Sequence, residues 1–369
     1  MRKTDVDFGL VASLIPLFEQ TTVKRLLILE KRLIISRMCV CENVVVRINL
    51  LVGLMACLVV GCGPAKESAE KPEKHQFKAI VYNVQFLPKV ARFAESRGFP
   101  AYRAKEIATR LAEYDVMVFN EVFAEDARSV LIEELKRQNE HELEFFDGAT
   151  GKKSAFGIGN GLMIVSRFPI VERNSVAFGN DSSFADYGFK ADGFAAKGVL
   201  HVRLSLNFQA DQAKYVDVFG THLESKSGSI REKQFEIVSS FIKKHSDPET
   251  PAVILGDFNT RAPHPDSEMP APYSKLMTQL KNAKPDSNVI DVWAELKTTH
   301  GGTGDQESDD GGNRIDYIFF ARPRSREQVF RPVDVNVRTF PDPKVDFLSD
   351  HSAVEATFEV EYGPGGRPH

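Results

Sequence analysis

Two short runs carry groups from which a hydrolytic site could be built. In Leu255-Gly256-Asp257-Phe258-Asn259, an apolar stretch (Ala252, Val253, Ile254, Leu255) ends on a carboxylate and a carboxamide two residues apart. At strand spacing, residues two apart project to the same side. In Leu348-Ser349-Asp350-His351, far downstream, an acid and an imidazole stand side by side before another apolar stretch. Placing a water, polarising a phosphoryl oxygen and protonating a leaving group calls for carboxylates to hold a cation, an amide donor for the developing anion and an imidazole for the proton. The two runs contain these parts, and the chemistry they would serve is metal-assisted cleavage of a phosphodiester.

Four other segments repeat the plan of an apolar strand that delivers a polar residue at its end. Lys78 to Val84 presents Asn83, Val116 to Val122 exposes Asn120 and Glu121, Tyr215 to Leu223 presents His222, and Arg314 to Phe320 presents Asp316. Taken singly, each is more simply a solvated or capping residue. The succession Asn, Glu, His, Asp-x-Asn, Asp, Asp-His along one chain is what a site assembled from many strand ends requires. Helical spacing of apolar residues marks Arg103 to Glu113, Glu125 to Arg137 and Ile230 to Lys243. Helices alternating with apolar strands indicate the α/β class. The region from 77 to 362 is no larger than one such sandwich can bury around a single core.

Between residues 77 and 360 the motifs YNV, FNEV, GLMIVSRFPI, FGTHLES, LGDFNT, RIDYIFF and LSDHSAV follow one another. This series resembles the successive motifs of the endonuclease/exonuclease/phosphatase superfamily, the fold of DNase I. Within it, Asn83-Val84-Gln85-Phe86-Leu87-Pro88, Asn120-Glu121-Val122-Phe123 and the segment from Asp192 to Gly198 are most similar to the neutral sphingomyelinases. The resemblance implies a four-layer α/β/β/α sandwich, a single catalytic domain over 77–362.

It also implies roles. Glu121 would be the principal ligand of a divalent metal, with Asn83 beside it and Asp350 nearby. Such hard oxygen donors favour Mg²⁺, with Mn²⁺ and Ca²⁺ as alternatives. His222 would contact the phosphate or assist the leaving group, and Asn259 would donate to a phosphoryl oxygen. Asp257 would orient or deprotonate the attacking water. His351 would stand at the other face of the phosphorus, its tautomer held by Asp316, and either it or Asp257 would take the proton. Lys197 and Arg314 are expected against the substrate. The implied activity is Mg²⁺-dependent hydrolysis of a phospholipid headgroup. A DNase-like nuclease and an inositol-phosphate phosphatase are the enzymatic rivals. A non-catalytic binding module should have lost one of the site groups, and none is missing.

The amino-terminal region bears on location. After Arg47, the apolar stretch Ile48 to Val60 is too short to span a bilayer comfortably and reads as the core of a secretory signal. Val59-Val60-Gly61-Cys62 resembles the lipobox of bacterial lipoproteins, whose cysteine is acylated and becomes the first mature residue. All four cysteines, Cys39, Cys41, Cys57 and Cys62, lie at or before that point, so the exported domain would have no disulfide framework. The expected organisation is an extension over 1–37, a signal peptide over 38–61, a lipidated Cys62 with a flexible tether to residue 76, the catalytic domain, and a disordered tail over 363–369. The protein is then expected in the cell envelope, anchored to a membrane on its periplasmic or extracellular side, as a monomer. The net charge of -4 and the lack of any Lys/Arg run argue mildly for a single headgroup over a long polyanion, with nucleic acid as the alternative substrate.

Two segments fall outside this pattern. His300 to Asn313 is acidic and glycine-rich, and Asp305, Glu307, Asp309 and Asp310 lack EF-hand spacing, so it is expected as a solvated loop. Phe178 to Phe194 carries Phe184, Tyr187, Phe189 and Phe194, either as core residues or as side chains that dip into a membrane interface.

Overall fold

Apolar residues at alternate positions of the strands serve two different cores, and this fixes the layering. In the computed structural model, which describes residues 73–87, 98–139, 142–148, 159–179, 197–206, 214–264, 266–304, 312–324 and 329–362, the elements run in the following order. They are β1 (Glu73–Phe86), α1 (Pro100–Arg110), β2 (Val116–Val122), α2 (Glu125–Gln138), β3 (Glu144–Phe146), β4 (Met163–Ser166), β5 (Ile170–Ala177), β6 (Gly198–Leu206) and β7 (Lys214–His222). Then come α3 (Gly228–His245), β8 (Ala252–Asp257), α4 (Ala271–Ala283), β9 (Val289–Asp291), α5 (Val292–Leu296), β10 (Asp316–Ala321), β11 (Val329–Arg338), β12 (Pro341–Asp342), β13 (Asp346–Phe347) and β14 (Ala353–Tyr362).

The first sheet has the order β11-β14-β1-β2-β4-β3 and the second β5-β6-β7-β8-β10-β9. Ala79 and Val81 of β1, Val116 and Val118 of β2, and Val253 and Leu255 of β8 meet in a core between the sheets. The intervening residues Ile80, Tyr82, Met117 and Phe119 face a second core with Ile107, Leu131 and Leu135 of α1 and α2. On the other side, Ala252 and Ile254 join Phe235, Val238, Leu276 and Leu280 of α3 and α4. Three cores between four layers make the expected α/β/β/α sandwich, because the central strands such as β2 and β8 are buried on both faces. Among the described residues, no helix is long and apolar enough to cross a membrane.

The structure departs from the sequence expectations in two places. The tether expected to reach residue 76 ends sooner, because Glu73 to Gln76 already pair with Tyr362 to Glu359 of β14. Their charges had pointed to a linker, yet a strand on this part of the sheet needs only backbone pairing. Helices α4 and α5 had no sequence expectation. Pro270 and Pro272 obscure the stripe Tyr273, Leu276, Leu280 that α4 buries, although proline is well tolerated in a first helical turn. The signal region, Cys62, the aromatic residues Phe184, Tyr187, Phe189 and Phe194, the acidic residues Asp305 to Asp310 and the tail over 363–369 lie outside the described residues.

Candidate active site

Register alone builds half of the site. The parallel pair β7–β8 sets His222 opposite Asp257, and the antiparallel pair β8–β10 sets Asp257 opposite Asp316. Residues paired across adjacent strands share a face, so an imidazole and two carboxylates line up at one end of the second sheet. Gly256 permits the close approach, since a Cβ there would lie 2.2 Å from the Thr221 carbonyl oxygen. In the first sheet, the parallel pair β1–β2 sets Asn83 opposite Asn120. Glu121 follows with a left-handed backbone (φ 61°), as do Gln85 (φ 48°) and, beyond β8, Asn259 (φ 47°). Non-glycine residues rarely hold that conformation, and such strain collects at functional sites.

The two sheets meet through carboxamides. Asn83 Nδ2 donates to Glu121 Oε1 and to Asp257 Oδ2, each at 3.1 Å, and Asn120 Nδ2 donates to the Thr221 carbonyl at 2.9 Å. Asp257 is held at Oδ1 by the Asn259 backbone N–H (2.9 Å), while its Oδ2 lies 3.5 Å from His222 Nε2 and 3.9 Å from His351 Nε2. His351 Nδ1 is 2.8 Å from Asp316 Oδ2. A carboxylate only accepts, so Nδ1 carries the proton and Nε2 faces the reaction centre. Lys197 Nζ donates to the Leu223 carbonyl at 2.7 Å and lies 2.9 Å from His222 Nε2. An ammonium has no lone pair, so His222 Nε2 is the acceptor of that contact and the ring proton sits on Nδ1.

Electrostatics separate these groups. Burial, reinforced by the charge of Asp350, lifts the Glu121 carboxyl to about 7. Burial, followed by the charge of Asp316, lifts Asp257 to about 6. Burial works against a charged His351, but the charge and hydrogen bond of Asp316, with Asp257 and Asp350 behind them, outweigh it and hold the imidazolium well above its usual range. The result is an acid-rich cleft with one cationic imidazole in its middle.

Nine of the expected residues converge on this cleft: Asn83, Glu121, Lys197, His222, Asp257, Asn259, Asp316, Asp350 and His351. Two departures concern arginine and asparagine. Arg314, expected against substrate, is buried; its guanidinium pairs with Asp291 at 2.9 and 3.1 Å, donates to the His300 carbonyl and lies over the Tyr317 ring. Each of its three nitrogens has a partner inside the protein. Asn120, expected to be exposed, is fully buried as the bridge to Thr221.

Sequence reasoning missed the groups that hold the cleft's loops. Gln85 Nε2 donates to Asp350 Oδ2 at 2.6 Å, and Ser349 Oγ donates to the Asn83 carbonyl, also at 2.6 Å. Arg103 of α1 donates to the carbonyls of Val84, Gln85 and Leu348, each at 2.8 Å. The Thr303 hydroxyl accepts from the backbone of Ile315 and Asp316. Gln85 and Ser349 adjoin expected site residues, which is a usable signal; Arg103 sits on a helix and Thr303 in the glycine-rich loop before β10, and neither is marked by its neighbours.

A two-sheet sandwich with an acid, amide and imidazole cleft across the strand ends is the frame of the DNase I-like phosphoesterases. The sequence model described as Endonuclease/Exonuclease/phosphatase family matches residues 80–351, and the chain belongs to that family. It is 25% identical over 299 residues to the sphingomyelinase C 2 of Leptospira interrogans, an alignment that covers 75% of this chain and 45% of that protein. The chain thus spans less than half the length of that relative. It is 26% identical over 328 residues to a phospholipase C of Staphylococcus aureus, covering 79% of this chain and 89% of that one. A crystal structure of a Staphylococcus aureus beta toxin variant with bound magnesium ions superposes with a TM-score of 0.55 at 21% identity, over 76% of this chain and 99% of that chain. At that identity the likeness concerns the fold.

Proposed function

We propose that this chain is a Mg²⁺-dependent phosphodiesterase that releases the phosphorylated headgroup of a membrane phospholipid, sphingomyelin foremost. The observation that carries the reading is Asp257, set by register opposite His222 and Asp316, lying 3.9 Å from His351 Nε2 and bridged by Asn83 to Glu121. The sphingomyelinase and phospholipase C relatives give the substrate class its support.

The residues present fit a divalent cation. Glu121 keeps a fifth of its side-chain surface open and carries a carboxyl raised by burial and by the Asp350 charge, a repulsion that a cation relieves. Glu121 and Asp350, with Asn83 beside them, would hold it. When bound, the cation supplies charge to polarise a phosphoryl oxygen. Asp257 positions the water, with Oδ1 fixed by the Asn259 backbone and Oδ2 turned to the cleft. The His351 ring is pinned by Asp316, so Nε2 is the atom through which it exchanges a proton with the reaction centre. Lys197 and the second N–H of the Asn259 carboxamide, whose first reaches the Leu223 carbonyl, are donors for phosphoryl oxygens.

One observation favours a second reading. A groove of about 820 Å³ beside Asn259, Asp350 and His351 is lined by Arg231 and Arg261, cations suited to a nucleic-acid backbone. The deciding experiment offers the purified chain sphingomyelin, phosphatidylcholine and linear DNA side by side in Mg²⁺, with Asp257→Ala as the blank. Choline-phosphate release that vanishes in the blank supports the lipid reading. DNA cleavage with inert lipids moves the protein to the nuclease branch.

Acylation at Cys62, a tether beyond it, a place in the cell envelope and a monomeric state belong to the same proposal. Acylation and the envelope location are supported by the lipobox-like Val59-Val60-Gly61-Cys62 and by the cysteine-free remainder of the chain. Metabolic labelling with a palmitate analogue should mark the wild type and not Cys62→Ala.

A further inference from the structure

We propose that Glu172 of β5, His201 of β6 and His245 at the end of α3 form a second metal centre, of zinc type, apart from the catalytic cleft. One ligand atom from each lies within 4.8 Å of the others. Asp217, which anchors this cluster, and His222 of the cleft stand five residues apart on β7. At about 3.3 Å per residue, the strand separates the two centres by roughly 16 Å.

The orientation of His201 carries the inference. The ring is fully buried and stacked on Phe219, with centroids 4.6 Å apart. Its Nε2 is 3.0 Å from Asp217 Oδ1, and Asp217 is itself gripped by Arg203 Nε at 2.8 Å. That carboxylate accepts only, so Nε2 carries the ring proton and Nδ1 presents its lone pair. A carboxylate behind a histidine, with the other nitrogen aimed at an ion, is the usual arrangement for a metal-ligating imidazole.

The lone pair does not point into apolar packing. Asn174 Nδ2 lies 3.1 Å from it and also donates to Glu172 Oε1 at 2.9 Å, so a single amide group bridges an imidazole nitrogen and a carboxylate oxygen. His245 Nδ1 is 4.0 Å from the same Glu172 Oε1, and the rings of His201 and His245 are 5.7 Å apart. Arg203 approaches the other oxygen, Glu172 Oε2, at 3.5 Å, which leaves Oε1 for the ion. Two imidazoles and one carboxylate with an open fourth position suit Zn²⁺.

Tetrahedral zinc, with ligands at about 2.0 Å, brings ligand atoms to roughly 3.3 Å from one another. The approach falls to the partly exposed partners, since the Glu172 and His245 side chains retain 41% and 13% of their surface. His201 stays fixed, and the Asn174 amide turns aside. The ion would fasten the end of α3 to β5 and β6 behind the strands that carry His222 and Asp257.

The test is calorimetric titration of Zn²⁺ into the full chain with its four cysteines alkylated, paired with Co²⁺ absorption spectra. With Mg²⁺ in excess to fill the catalytic cleft, one equivalent should bind with intense tetrahedral Co²⁺ bands. Affinity for Zn²⁺ should fall at least tenfold in His245→Ala and in Glu172→Gln, two substitutions that should leave Mg²⁺-dependent turnover unchanged, and it should persist in Glu121→Gln. Both altered side chains are partly exposed, and thermal melts verify that the variants remain folded. The proposal is overturned if Zn²⁺ does not bind, if both variants bind as the wild type does, or if Glu121→Gln is the variant that loses the ion.

Discussion

The two sheets bring different chemistry to the cleft between them, and they hold it differently. The second sheet supplies proton-handling groups, and His222, Asp257 and Asp316 stand in one row because β7, β8 and β10 pair in register. The first sheet supplies oxygen donors, and Glu121 departs from its strand through a left-handed backbone that turns its carboxylate to Asn83. His222, Asp257 and Asp316 are thus kept in a fixed row, whereas Glu121 is aimed by a left-handed kink within β2 and Asp350 by the segment before β14. Each side is backed by a buried arginine: Arg103 on carbonyls of the first sheet's loops, and Arg314 against Asp291 beneath the second. His351 joins the two halves, carried by the segment before β14 and bonded to Asp316 of β10.

Substitutions that break the row should cost the most turnover. Asp257→Ala is expected to lower kcat by about 10⁴-fold, with the melting temperature kept or raised, because it also removes a buried acid whose carboxyl is pushed up to about 6 by burial and by Asp316. A fully active variant would remove Asp257 from the mechanism. Asp316→Asn keeps the shape but withdraws the charge behind His351. Turnover should fall by roughly 10²- to 10³-fold in the same assay, and the His351 titration followed by NMR should move down toward its ordinary range.

The oxygen side should respond through the metal instead. Glu121→Gln is expected to weaken Mg²⁺ binding by about 10- to 100-fold, with turnover partly recovered at saturating Mg²⁺. In the wild type, burial and Asp350 set the Glu121 carboxyl at about 7, and its proton competes with the ion. Mg²⁺ affinity should therefore rise with pH through 7, with proton release detectable by calorimetry in buffers of different ionisation heat. Because this pKa is raised above its unfolded value, Glu121 should contribute stability to the metal-free fold that is fully present below about 4.5 and lost as pH rises through 7. Stripped wild type and Glu121→Gln whose melts change alike from pH 4.5 to 7.5 would contradict this.

The smallest effect on turnover is expected at the arginine beneath the second sheet. Arg314→Met should leave KM near its wild-type value while costing about 3 kcal/mol of stability, since Asp291 is left buried without its partner. A raised KM with an unchanged melt would return Arg314 to the substrate.

Much of the site was legible because its residues end apolar strands, and six such ends in one chain are hard to produce by chance. Arg314 read as a substrate group for the same reason: it precedes Ile315-Asp316, and nothing local shows that Asp291, on another strand, awaits it. Asn120 was placed outside because polar residues usually are, whereas a buried amide can bridge two sheets once the Thr221 carbonyl faces it. Arg103 and Thr303 had no signal, since their partners are backbone groups, which carry no residue-type pattern, and for Arg103 one of them is Leu348, 245 positions away.

What the sequence determined by itself is the inventory and its local placement: alternating apolar strands, amphipathic helices, and acids, amides and imidazoles at strand ends, all set by side-chain periods of 2 and 3.6. Only the tertiary structure decided which of these share a proton and which face an ion. Those relations depend on strand register, on left-handed backbone at Gln85, Glu121 and Asn259, and on distances of a few ångströms between residues up to 266 positions apart, as in the bond from Ser349 to the Asn83 carbonyl. Local sequence preferences do not encode such separations, because they arise when two sheets pack and bury the groups together.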